Sequence, residues 1–236
     1  LKERGIVVCN TPDLLADATA DLAMALMLAV SRRVLEGHRR LRAGDFPGWD
    51  PFYELAPGLT GKTLGLVGFG GIAREVARRA QAFKMRVLYH KRHRLDPAEE
   101  NALGVVYAPL DALLTESDVV SLHCPLTDET RHLLDAARLR AMKRGAILIN
   151  TARGPVVDEA ALAEVLAEGH LYGAGLDVFE REPAVTPMLW ELANVVTTPH
   201  TGSATHATRG AMGDRALENL VLGLQGREPV SRVPGS

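Results

Sequence analysis

An apolar run, Leu64-Gly65-Leu66-Val67, breaks into Gly68-Phe69-Gly70-Gly71-Ile72-Ala73 and continues as Arg74-Glu75-Val76-Ala77-Arg78-Arg79-Ala80. Glycines at G-x-G-x-x-A spacing occur in ordinary turns. A buried strand before them and a helical pattern after them is the context that a dinucleotide pyrophosphate requires. Gly68 permits the tight turn, Gly70 lets main chain approach a phosphate with no Cβ in the way, and Ala73 lets the helix pack close to the strand. The helix N-terminus then offers free N–H groups and partial positive charge. Gly68, Phe69, Gly70, Gly71 and Ile72 are therefore expected to cradle a dinucleotide.

The rest of the chain is consistent with a fold that carries such a turn. Apolar strand candidates recur at Leu64–Val67, Arg86–Tyr89, Val119–Leu122, Ala146–Ile149, Ala174–Asp177 and Val195–Thr197. Between them lie helical patterns, notably Arg74–Ala82, Leu110–Leu114, Ala136–Met142 and Glu159–Glu168. Apolar strands alternating with helices predict an α/β fold, a doubly wound, Rossmann-like parallel sheet covered on both faces. Ahead of it stand a short strand at Ile6-Val7-Val8 and one long helix from about Leu14 to Leu41. Gly44 to Gly61 is an irregular arm whose Phe46, Trp49, Phe52 and Tyr53 are more aromatic surface than a free loop exposes, so it is expected to dock. A final helix, Ala204 to Gln225, leads into a polar tail ending Val233-Pro234-Gly235-Ser236.

Composition excludes several classes. With 236 residues, 47% of them apolar, the chain can bury a sizeable core, and a net charge of −2 argues against a dedicated nucleic-acid binder. Cys9 and Cys124 form neither metal spacing nor a disulfide framework, so no metal site and a reducing compartment are expected. Leu22 to Val30 is too short and interrupted to cross a bilayer. The expectation is a cytoplasmic protein without signal peptide or membrane span.

At the end of the second strand stand His90-Lys91-Arg92-His93-Arg94, with no carboxylate until Asp96. NAD specificity calls for an acid there to accept the ribose 2′-hydroxyl. Lys91, Arg92 and Arg94 suit the 2′-phosphate of NADP instead, so NADP(H) is preferred and NAD(H) use stays open. The alternative is a solvated basic turn. Ligands in such sheets sit beyond the carboxyl ends of the strands. Arg153, Glu182 and His200 each follow a late strand on that side; singly each could be unremarkable, but together they point to a reaction centre.

These segments resemble the D-isomer-specific 2-hydroxyacid dehydrogenases. The resemblance rests on Asn10-Thr11-Pro12, Asp17-Ala18-Thr19-Ala20-Asp21, the nucleotide loop, His123-Cys124-Pro125-Leu126-Thr127 and Asn150-Thr151-Ala152-Arg153-Gly154. Asp177-Val178-Phe179, Glu182-Pro183 and Thr198-Pro199-His200-Thr201-Gly202-Ser203-Ala204-Thr205 complete it, all in family order. Within the family the chain is most similar to glyoxylate/hydroxypyruvate reductases. The resemblance implies reduction of a small 2-oxo acid, with His200 as proton donor, Glu182 orienting its ring, and Arg153 binding the substrate and polarising its carbonyl. Glu180 is the rival carboxylate, and the family's acid directly before proline favours Glu182. It further implies that Asp177, Thr151 and Ala152 line the nicotinamide end, with Cys124, Pro125, Arg153, His200, Gly202 and Ser203 also at the cofactor.

Domain organisation follows from the same likeness. Residues 1–10 would end a substrate domain, 11–203 form the dinucleotide-binding domain with long helix and arm, and 204–236 return toward the substrate domain. Family members carry roughly a hundred further residues ahead of this point, forming most of that domain. The expectation is therefore a reductase fragment or truncated form that binds NADP(H) better than it turns over substrate. The arm implies a homodimer, with Trp49 edging the partner's active site. Competing readings are a phosphoglycerate dehydrogenase-like enzyme, for which the second strand lacks the NAD-binding acid, and a non-catalytic nucleotide-sensing module. Formate dehydrogenase is disfavoured because it would carry Gln in place of Glu182.

Overall fold

The computed structural model describes residues 4–233, and in it seven parallel strands form one sheet of order β3-β2-β1-β4-β5-β6-β7. The strands are β1 (Thr63–Val67), β2 (Arg86–His90), β3 (Val106–Tyr107), β4 (Val119–Leu122), β5 (Ile147–Asn150), β6 (Gly173–Leu176) and β7 (Val195–Thr197). The six strands expected from Leu64 onward are all present with ends shifted by at most one residue, and β3 is an addition to them. The central strands are buried on both faces, as parallel strands between two helical layers must be. Successive side chains separate accordingly: Ile147 and Ile149 enter one core cluster, Leu148 the other.

One layer holds α1 (Ala16–Ser31) and α3 (Gly71–Ala82), and the other α5 (Leu110–Glu116), α6 (Ala136–Ala141) and α7 (Glu159–Ala167). Asp17 and Asp21 on α1 both accept from Arg79 on α3, at 2.9 and 2.7 Å, tying the two helices together. Strand order reverses between β1 and β4, which opens the crevice where such sheets bind ligands. Gly68 sits at that point with φ +87°, and a Cβ there would lie 2.6 Å from the Cys124 nitrogen. Only glycine allows both the turn and the approach of the two strand ends.

The single helix expected over 14–41 is two. α1 stops at Ser31 and α2 (Val34–Arg42) restarts after Arg33, whose backbone is left-handed at φ +53°. α1 is buried against sheet and α3, whereas α2 buries nothing, so the chain turns where it leaves the core. The Arg33 fork holds the break, donating to Glu36 (2.8 Å) and reaching Glu54 (3.0 Å). Arg40 pairs with Asp45 and with Glu54, closing both ends of the arm on α2. Beyond that clasp Trp49 is 86% and Phe52 78% exposed.

The strand expected at Ile6-Val7-Val8 is not formed. Cys9 makes an isolated antiparallel bridge with Arg232, too little pairing to sustain a strand. Beside it Asn10 N–H donates to the Ser231 carbonyl at 3.1 Å, so the segments 8–10 and 231–233 run together, and Asn219 of α9 (His206–Leu224) bonds Ser231. Residues 1–3 and the tail end 234–236 lie outside the described residues. Among the described residues no helix is long and apolar enough to cross a membrane.

Two further helices were not anticipated, α4 (Pro97–Leu103) and α8 (Pro187–Glu191). α4 carries buried Glu100, which accepts from both ends of the Arg94 fork at 2.8 Å and from Tyr89 Oη at 2.6 Å. Arg94 and then Tyr89 hold the Glu100 carboxyl well down, at about 2. Its folded value lies below the unfolded value of about 4.3, so the stabilisation is complete above that pH and lost as pH falls toward about 2. Glu100→Gln is accordingly expected to flatten the acid limb of the stability curve in that window. Thermal melts that keep the wild-type slope there would contradict this.

Candidate functional site

Two clefts open along the carboxyl ends of the strands. The first, about 560 Å³, is lined by the loop after β1 (Gly68, Phe69, Gly70), the end of β2 (His90, Lys91, Arg92, His93) and the loop after β4 (His123, Cys124, Pro125, Thr127, Glu129). α3 begins at Gly71, so its unpaired first-turn N–H groups and positive end adjoin the Gly loop. Ile72 faces the core behind it. A cradle that a single Cβ would fill, a helix N-terminus and a basic rim are what a dinucleotide's phosphates need.

The structure divides the three basic residues named from sequence. Lys91 and Arg92 line the cleft. Arg94 does not: its guanidinium is committed to Glu100 and lies 5.4 Å from the centre of the Tyr107 ring. A buried carboxylate holds a nearby guanidinium through two charge-assisted hydrogen bonds, which an open rim does not offer. Sequence reading missed Glu129 on the same cleft. Its carboxyl is held below the usual range by the Thr127 hydroxyl and its own backbone, with the Arg92 charge adding.

Two titratable groups in this cleft are silent at neutral pH. Burial pushes His123 down to about 4 and raises the Cys124 thiol to about 11. The ring of His123 is thus neutral, and Cys124 is no thiolate nucleophile.

The second cleft, about 470 Å³, lies at the ends of β6 and β7 and is lined by Glu182, Pro183, Trp190, Thr198 and His200 among others. His200 Nδ1 donates to Glu182 Oε2 at 2.8 Å. Glu182 Oε1 accepts from Phe179 N–H at 3.0 Å. Burial opposes ionisation of Glu182, but the His200 ring, the Phe179 N–H and the Arg153 charge outweigh it and hold the carboxyl below its usual range. An anion on Nδ1 fixes the ring's tautomer, leaving Nε2 to face the cleft and give or take a proton.

Asp177, at the end of β6, holds the loop that follows β7. Buried to 1% exposure, it accepts from Thr198 Oγ1 (2.6 Å), Thr201 N–H (2.7 Å) and Gly202 N–H (2.8 Å). His200 lies inside that loop, with φ +53° and its N–H on the Asp177 carbonyl at 2.8 Å. Asp177 therefore fixes the turn that presents His200. Gly202 is buried beneath this turn and Ser203 is half-buried at its end.

Arg153 follows β5 on the neighbouring strand end. Its loop is held by buried Asn150, whose Oδ1 accepts from Ala152 N–H (3.0 Å) and whose Nδ2 donates to the Arg153 carbonyl (3.0 Å). A Cβ on Gly154 would lie 1.9 Å from the Phe179 carbonyl carbon, so the ends of β5 and β6 touch main chain to main chain. Thr151 and Ala152 are buried in the same loop, and the Thr151 hydroxyl has no hydrogen-bond partner. Arg153 itself is exposed, with Nη1 on the Ala152 carbonyl at 2.6 Å. Glu180 is engaged elsewhere, with His132 Nε2 at 3.0 Å, which removes it as the partner of His200. Among the described residues no cluster could hold a metal ion.

Sheet order, Gly-loop cleft and an adjoining histidine–carboxylate pair define the catalytic domain of a nicotinamide-dependent oxidoreductase. Comparison with known proteins agrees: the model of the D-isomer specific 2-hydroxyacid dehydrogenase NAD binding domain matches residues 24–202. The chain belongs to the D-isomer specific 2-hydroxyacid dehydrogenase family. It is 49% identical over 235 residues to a glyoxylate reductase of Thermococcus litoralis, covering 98% of this chain and 71% of that protein. It is 50% identical over 234 residues to a glyoxylate reductase of Korarchaeum cryptofilum, covering 98% and 70%. In structure it is similar, at TM-score 0.90 and 38% identity, to an NADPH-dependent glyoxylate/hydroxypyruvate reductase of Sinorhizobium meliloti in complex with NADP and malonate, over 99% of this chain and 72% of that one.

Proposed function

We propose that this chain is the catalytic part of an NADPH-dependent reductase converting a small 2-oxo acid, glyoxylate or hydroxypyruvate, to its 2-hydroxy acid, of D configuration where the reduced carbon becomes a stereocentre. The observation carrying this reading is the His200–Glu182 pair beside Arg153 at consecutive strand ends, next to the dinucleotide cleft. The dinucleotide would be held by the Gly68–Gly71 turn and the start of α3, and supplies a hydride when bound. Arg153 would pair with the substrate carboxylate and draw electron density from the carbonyl. His200 Nε2 would give its proton to the carbonyl oxygen as the hydroxyl forms. Glu182 stays anionic throughout and keeps the imidazolium aligned. Residues 11–203 would act as the dinucleotide domain, with 1–10 and 204–236 belonging to the substrate-domain side.

The NADP preference is supported by Lys91 and Arg92 on the cleft and by the NADPH dependence of the Sinorhizobium meliloti relative. The direct test follows NADPH and NADH consumption in parallel with glyoxylate and hydroxypyruvate. NADPH is expected to be used faster, and Arg92→Ala to raise KM for NADPH about tenfold with little effect on NADH. Equal loss with both cofactors would place the 2′-phosphate elsewhere. Absence of turnover with every combination, in folded protein carrying the substrate domain, would remove the reductase reading itself.

The clasped aromatic arm supports a homodimer. Trp49→Ala is expected to weaken self-association and broaden the range of 2-oxo acids accepted. Unchanged sedimentation and unchanged substrate preference would defeat that assignment.

A further inference from the structure

Glu159, the first residue of α7, is a carboxylate only 4% exposed. Burying a carboxylate is costly unless hydrogen bonds replace its water, and the donors here come from one loop. Oε1 accepts from Glu180 N–H at 2.7 Å. Oε2 accepts from Thr186 N–H at 3.2 Å and from the Thr186 hydroxyl. The Glu159 backbone N–H reaches back to Glu180 Oε2 at 3.4 Å.

Those contacts grip the loop on either side of Glu182. Inside the grip, Ala184 N–H closes a turn on the Arg181 carbonyl at 2.9 Å. Glu182 Oε1 is fixed by Phe179 N–H, and Oε2 meets His200. Among the described residues no hydrogen bond joins Glu159 to the reacting pair, so its influence passes through the loop backbone. α7 is anchored in the core by Leu162, Ala163 and Val165. The path thus runs from a rigid helix through one carboxylate to the residue that orients the imidazole.

We infer that Glu159 is a positioning residue for the Glu182–His200 pair, clamping the loop that carries Glu182 at both ends. The inference rests on the function proposed above. In Glu159→Gln an amide NH2 faces N–H and hydroxyl donors, so one end of the grip opens while volume is kept. A small misplacement of a catalytic group lowers turnover more than binding.

The test is a double-mutant cycle in the intact protein, with rates normalised to NADPH-binding sites. Glu159→Gln is expected to lower kcat about tenfold with KM for NADPH within about twofold. In a Glu182→Gln background the same change is expected to cost less than about twofold, because the group it positions is already disabled. Thr186→Val, which removes one donor and keeps the carboxylate, is expected to lower kcat about threefold with the same KM pattern. Equal fractional losses in both backgrounds would mean general destabilisation and overturn the inference, as would wild-type kcat in both Glu159→Gln and Thr186→Val.

A second readout needs no turnover: the His200 Nδ1 proton, hydrogen-bonded to Glu182, is expected in the downfield proton NMR spectrum and to exchange away in Glu159→Gln. Its persistence unchanged would overturn the clamp even if the 2-oxo acid reading failed, and its loss would support the clamp in either case.

Discussion

Replacing His200 by alanine is expected to lower kcat for 2-oxo acid reduction by about 10²–10⁴-fold, the range for removal of a positioned general acid. NADPH affinity should stay within a few-fold, since the cradle around Gly68 does not involve the imidazole. His123, which follows β4, is left neutral by burial down to about pH 4. Cys124 holds its proton up to about pH 11. Glu182→Gln should show an intermediate loss with a distinct signature. Without the anion on Nδ1 the ring is no longer held in one orientation, so kcat should fall while KM for NADPH stays within about twofold. Single-turnover decay of NADPH absorbance separates this step from product release. Activity within about tenfold of wild type in His200→Ala would transfer the acid role to another group.

Arg153→Ala is expected to reduce kcat/KM by about 10²–10³-fold, through both a higher KM for the 2-oxo acid and a lower kcat. Nη1 of the guanidinium rests on the Ala152 carbonyl, and its loop is braced by Asn150. Arg153→Lys should recover only a minor part, because an ammonium cannot present two parallel donors to a carboxylate. Asn150→Ala should act in the same direction with a smaller loss, by loosening that loop. Steady-state kinetics with glyoxylate, alongside NADPH titration, checks the pattern. An unchanged substrate KM in Arg153→Ala would mean that the carboxylate is bound elsewhere.

The sheet was legible because parallel strands buried on both faces are written as unbroken apolar runs, and the Gly turn sits where strand becomes helix. α4 is also written, in Asp96 as N-cap, Pro97 at the first turn and Gly104 at the end, but its low apolar content gives it no helical stripe. The break at Arg33 carries no such mark. Ser31-Arg32-Arg33 continues a helical pattern, and only the departure of α1 from the sheet forces the left-handed residue. β3 is two residues long, below any periodicity.

At the site, strand-end placement brought out Arg153, Glu182 and His200. It could not tell which guanidinium would be claimed by a buried acid, so Arg94 was grouped with Lys91 and Arg92. Nor could it find Asn150, Glu159 or Thr198, whose roles are hydrogen bonds between segments distant in sequence. Trp190 escaped notice for the same reason, since α8 brings it beside His200 only in three dimensions.

The contact between Gly154 and the Phe179 backbone has a consequence for how such a protein can change. Because the two strand ends meet with no side chain between them, the separation of Arg153 from the Glu182 loop is a main-chain dimension that ordinary substitution cannot retune. Innovation is thereby channelled outward, to Trp190, the arm and whatever closes over the cleft. A lineage of such chains can diversify in the acids it accepts while inheriting one invariant reaction geometry.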